Sequence, residues 1–136
     1  MNGYYGKEGY VSVWIGNCVD EASFVEAIKF RETTDESQSR FLLGESFGIK
    51  YYDDSCSLVN YLSRKTNDLN AILDTGAPDY VIESIKSLVG GNLTGEYNCC
   101  VMFFEMKYTG PLMETKQRNE GIFTFVGSVE ADVMDI

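Results

Sequence analysis

An α+β fold is what this sequence predicts: a single domain in which helices pack on an antiparallel or mixed sheet of at least three strands. Three observations carry that expectation. YVSVWIG at 10–16 alternates with the two-residue period of a strand. EYNCCVMFFEMKY at 96–108 is apolar on both faces from Cys99 to Phe104, as suits a central strand covered on both sides. Between them, Val81, Ile82, Ile85, Leu88 and Val89 recur at helical spacing. The 136 residues suit one domain. A chain of this size buries roughly two-thirds of the surface its unfolded form exposes, so it needs no disulfide or metal.

Residues 1–9 are polar and glycine-rich and are expected to form a flexible leader. In the first strand Val11, Val13 and Ile15 share one face, and Tyr10, Ser12 and Trp14 the other. Gly16 is its expected end. A first helix begins at Asp20, a capping residue followed by Glu21 in the first turn. Val19 is placed to staple onto Phe24, and Phe24 and Ile28 form the apolar stripe. A second helix is predicted over 36–47, with Asp35 and Gln38 as a capping box and Gly48 as its stop. IKYYDD is then short and extended. SCSLVNYLSRKT at 55–66 fits either an edge strand or a helical turn or two.

Asn67 or Asp68 caps a short helix that turns Leu69, Ile72 and Leu73 inward and closes at Gly76. Pro78 suits the first turn of the last helix, and Gly90-Gly91 stops it. IFTFVGSVEA at 122–131 alternates Phe123, Phe125 and Val129 with Thr124, Ser128 and Glu130. With 96–108 it reads as a long antiparallel hairpin, joined by the loop TGPLMETKQRNEG, with Gly127 marking a bulge. The domain spans 10–132, and an acidic tail occupies 133–136.

The net charge is −10, and −7 of it falls within residues 20–83. A basic footprint for nucleic acid or an anionic membrane is missing. The charge suits either plain solubility or a basic partner drawn in by an acidic field. The chain has no histidine, which removes Ser-His and Cys-His catalysis and the commonest metal ligand. Cys18, Cys56, Cys99 and Cys100 form no CxxC pair, so no zinc or thioredoxin spacing exists. Buried, reduced thiols in a cytoplasmic protein are expected. MNGYYGKEGY has no apolar stretch of a signal peptide, and no apolar run approaches membrane-spanning length. No cofactor is implied.

Two places invite a functional assignment. Trp14 is either packing against a helix or a rim anchor for a partner. Tyr51-Tyr52-Asp53-Asp54 is either a turn or cap beside an apolar shoulder, or a partner-binding patch. The Asp-x-Asp-x-Asp-Gly spacing of a calcium loop is absent from it. The chain also lacks a nucleophile elbow, a phosphate loop and HExxH, so a carboxylate-dependent enzyme is the weakest of three classes.

Three blocks in order give a resemblance. YVSVWIGN at 10–17 precedes the acidic helix DEASFVEAI. SQSRFLLGESFGIKYYDDS occupies 37–55. EYNCCVMFFEMKY at 96–108 leads to IFTFVGSVEAD at 122–132. In this order they resemble the bacterial immunity proteins of polymorphic toxin systems, specifically the immunity protein 22 family, over residues 10–132. The resemblance implies a protein that binds a cognate toxin domain made by the same cell, often a nuclease, and blocks its active site. It implies no catalytic residues. The contacts expected from the patch above are Tyr51, Tyr52, Asp53, Asp54 and Trp14. The alternative is an acidic interaction or ligand-binding module with no toxin.

Overall fold

The structure is a computed structural model that describes residues 5–32, 38–118 and 121–135, apart from the side chains of Asp54 and Arg118. Its frame is a five-stranded antiparallel sheet in the order β2-β3-β1-β5-β4. The strands are β1 (Gly6–Cys18), β2 (Ser57–Asp68), β3 (Asn92–Met106), β4 (Thr115–Arg118) and β5 (Gly121–Glu130). The helices are α1 (Glu21–Ile28), α2 (Leu42–Phe47), α3 (Leu69–Ile72) and α4 (Asp79–Val89).

Alternation in β1 sorts the core into two halves. Trp14 faces the half that holds Phe24 of α1, Leu43 and Phe47 of α2, Phe103 and Phe125. Val11, Val13 and Ile15 face the half that holds Leu69 and Ile72 of α3 and Val81 and Ile85 of α4. The sheet is therefore the middle of three layers. Cys99 and Cys100 go to opposite halves, as neighbours on a strand must. From Ser57 onward the 55–66 segment is the edge strand β2, paired with β3 alone, and Ser55 and Cys56 lie in a short turn before it.

Several expectations are corrected. β1 begins at Gly6, so residues 6–9 of the expected leader are part of the sheet, where Gly6 pairs with Met106. It also runs past Gly16 to Cys18, because Asn98 bonds both the N–H and the carbonyl of Cys18. β3 and β5 are not a hairpin: β1 lies between them, and β5 makes its hairpin with β4 inside the expected loop. The polar TKQR has no strand pattern of its own, and pairing with β5 holds it extended. Gly127, at φ 143, does mark a bulge, where the register shifts between Val13 and Trp14. Plain alternation puts Val126 in the half opposite Phe123 and Phe125, and the extra residue then turns Val129 to that same half, so Val129 does not share their face.

The helix ends follow the capping rules in part. Asp20 accepts from the Ser23 N–H and caps α1, but Val19 is 65% exposed and staples nothing. Asp68 caps α3. Pro78 stands one position before α4, at its cap. α2 starts at Leu42 rather than 36, because the chain ahead of it is tied into extended pairing. The Arg40 N–H donates to the Lys50 carbonyl, and Ser39 Oγ donates to the Phe41 carbonyl. The expected cap Asp35 lies outside the described residues. Gly48, in the left-handed conformation at φ 74, ends α2 as expected. Among the described residues no helix is long and apolar enough to cross a membrane.

Candidate binding surface at one end of the sheet

Ile49 and Tyr52 are pulled inward after α2, and this fixes the loop that carries the sequence-predicted patch. Ile49 is fully buried. Tyr52 stacks on Phe30 at 4.6 Å between ring centroids and packs on Phe103 at 4.3 Å. Its hydroxyl donates to the Ile28 carbonyl at the end of α1. Consecutive residues of extended chain point opposite ways. Tyr51 therefore faces outward, 53% exposed, and Asp53 is exposed beyond it.

Asp53 ends the loop as a cap. Its carboxylate accepts from the hydroxyl and the N–H of Ser55, opening a short 3-10 turn at Asp54–Cys56 that leads into β2. These two hydrogen bonds, the hydroxyl's first, hold the Asp53 carboxyl below the usual range, so it keeps its charge in mildly acidic solution. Tyr51 and Asp53 thus form a surface pair, and Tyr52 is the pin beneath them rather than a contact. Of Asp54 only the backbone position is described.

Trp14 does not join this site. It is fully buried, ringed by Phe47, Phe103, Tyr108 and Phe125 at 4.9–5.7 Å between centroids. A side chain with no accessible surface is no rim anchor, and Trp14 is a core residue.

Sheet register joins the patch to a second feature that the sequence did not reveal. Ser57, Phe103, Ser12 and Ser128 lie opposite one another across four strands. Beyond this row, on the same end of the sheet, come the Tyr51–Asp53 loop, the exit of β3 through Glu105, the entry of β1 through Glu8, and the exit of β5 through Glu130 and Asp132. On the α4 side this end opens into a shallow groove. Tyr80 and Ser84 of α4 form one wall, Glu130 to Met134 form the other, and Leu88 lies between them over Gly127. Leu88 belongs to the predicted α4 stripe but is 45% exposed, whereas Val81 and Ile85 are buried and Ile82 and Val89 partly so.

The remaining chemistry is inward. Cys18 and Cys99 place their sulfurs 3.7 Å apart, both buried. Their shared hydrogen bond lowers the Cys18 thiol and raises that of Cys99, while burial alone raises Cys100. Gly16 and Gly121 leave the room these thiols fill: a Cβ at Gly16 would stand 2.8 Å from the Cys99 sulfur, and one at Gly121 3.0 Å from that of Cys18. Among the described residues no three of His, Cys, Asp and Glu are grouped to hold a metal. Comparison with protein-family models, curated proteins and solved structures finds no match.

Proposed function

We propose that this protein binds and neutralises a toxin domain made in the same cell, covering the toxin's active site with the acidic end of its sheet. The observation that carries this is the arrangement of the loop: Tyr51 and Asp53 stand at the surface over Tyr52, which is locked to α1 and β3. An exposed aromatic beside a charge, held on a rigid base, suits an interface contact and loses little entropy on binding. The net charge of −10 suits a partner with a basic surface, as a nuclease presents to its polyanionic substrate. The protein acts by occupancy, without catalysis or cofactor, in the cytoplasm, where toxin and inhibitor meet. A stable complex would bury on the order of 1,600 Å². The groove on the same end favours a second reading, an acidic interaction module whose basic partner is no toxin.

The test takes the neighbouring gene's product as the candidate toxin and uses surface-binding kinetics. Asp53→Ala with Asp54→Ala is expected to slow association several-fold at low salt, with little change at high salt, and to leave the far-UV spectrum unchanged. Tyr51→Ala is expected to act on dissociation instead, weakening the complex by about 1–2 kcal/mol. Unchanged rates in both variants would remove the loop from the interface.

A further inference from the structure

We infer that the groove between α4 and the C-terminal end of β5 is a docking site for a basic segment of a partner protein that carries an apolar side chain among lysines or arginines. The inference does not depend on the toxin reading, since any basic partner satisfies it.

The floor is apolar and open. Leu88 lies over the backbone of Gly127, where a Cβ would stand 2.5 Å from its Cδ1. Only a glycine leaves that space, and Leu88 packed there is still 45% exposed. Tyr80 is 44% exposed and Met134 84%. Val129 and Ala131 continue the lining. The wall is already formed: the Tyr80 hydroxyl donates to Asp135 at 2.6 Å and accepts from the Asp132 N–H at 3.2 Å, fixing the C-terminal turn Val133–Asp135 against α4.

Charge decides the occupant. Glu8, Glu105, Glu130 and Asp132 line the groove against Lys107, whose ammonium sits over the Tyr10 ring at 4.5 Å, with that of Lys7 over the same ring at 5.3 Å. Nucleic acid and anionic lipid would meet these carboxylates as like charges. A second copy of a chain with net charge −10 would do the same. A small cation alone would leave the apolar floor unused. A lysine- or arginine-rich segment with one apolar anchor satisfies both the walls and the floor.

The probe is a short fluorescein-labelled lysine peptide with one central leucine, titrated with the full chain and read by anisotropy. Its control has serine for the leucine. The leucine peptide is expected to bind about tenfold tighter than the serine one, as burial of one leucine side chain would give. Leu88→Lys is expected to abolish that advantage. Glu8→Gln with Glu130→Gln is expected to weaken the leucine peptide about tenfold. Glu21→Gln with Glu26→Gln on α1 removes the same charge far from the groove, and is expected to leave affinity within about twofold. All four carboxylates are exposed, so the variants keep the fold, checked by the thermal transition. Equal losses from the two pairs would reduce the effect to net charge and overturn the site. So would equal affinity for the two peptides, or no binding of either.

Discussion

Trp14→Ala is expected to lose about 3–5 kcal/mol of stability, about a third or more of the usual 5–15 kcal/mol at its middle and nearly all of it at its lower end. Trp14 is the hub of one half of the core: its ring touches aromatics from α2, β3, β5 and the segment after β3. Truncation opens a cavity among four large rigid rings, which have little freedom to collapse into it. Trp14→Phe is expected to behave very differently. The indole N–H is buried and has no hydrogen-bond partner among the described residues. Phenylalanine gives up contact area but removes that unpaired donor, so its cost is expected to stay under about 1.5 kcal/mol. Urea denaturation of the two variants checks this. A similar midpoint for both would mean that Trp14 is held by its edge chemistry rather than by packing.

Gly44→Ala is expected to cost about 1–3 kcal/mol, even though alanine is the better helix former by nearly 1 kcal/mol. A Cβ there would stand 2.4 Å from the Phe41 ring and 2.5 Å from the Ile49 carbonyl oxygen. The ring is packed on Tyr52 and Phe103, and Ile49 is bonded back to the Gly44 carbonyl. Neither yields without moving the other. Since Phe41 and Ile49 underlie Tyr52, the strain reaches the loop that presents Tyr51 and Asp53. The urea midpoint is expected to fall with an unchanged slope, and under the proposed function the affinity for the partner is expected to weaken beyond what stability accounts for. A neutral or stabilising Gly44→Ala would show that the ring shifts freely.

The same local physics decides what the sequence makes legible. β1 can be read because its alternating residues serve two different core halves, and β3 because an apolar run on both faces has few other uses. β4 cannot: TKQR has no apolar face, and the bond between the hydroxyls of Thr115 and Thr124 exists only once β5 is beside it. Strand order is equally silent, since nothing within 96–108 or 122–131 says that β1 lies between them. The early start expected for α2 follows helical propensity, but Ser39 and Arg40 are taken by hydrogen bonds to distant chain.

For the site, YYDD marks the right loop but not which residues face out. Tyr51 and Tyr52 are the same residue type, and only the backbone alternation set by buried Ile49 and the Ile28 carbonyl separates pin from contact. Trp14 shows the same limit: a lone tryptophan suits an interface or a core, and its neighbours across the sheet decide. The groove needs four distant segments, 8–10, 80–88, 105–107 and 128–134, which no local pattern links.

Growth rescue tests the central claim most directly. The neighbouring gene is read for a toxin domain, that domain is induced in a host with and without this chain, and growth is followed together with co-purification. Restored growth with a salt-sensitive complex, weakened by Asp53→Ala with Asp54→Ala, is the predicted result. Persistent toxicity in the presence of abundant, folded protein would contradict it, and leave an acidic binding module whose partner is not that toxin.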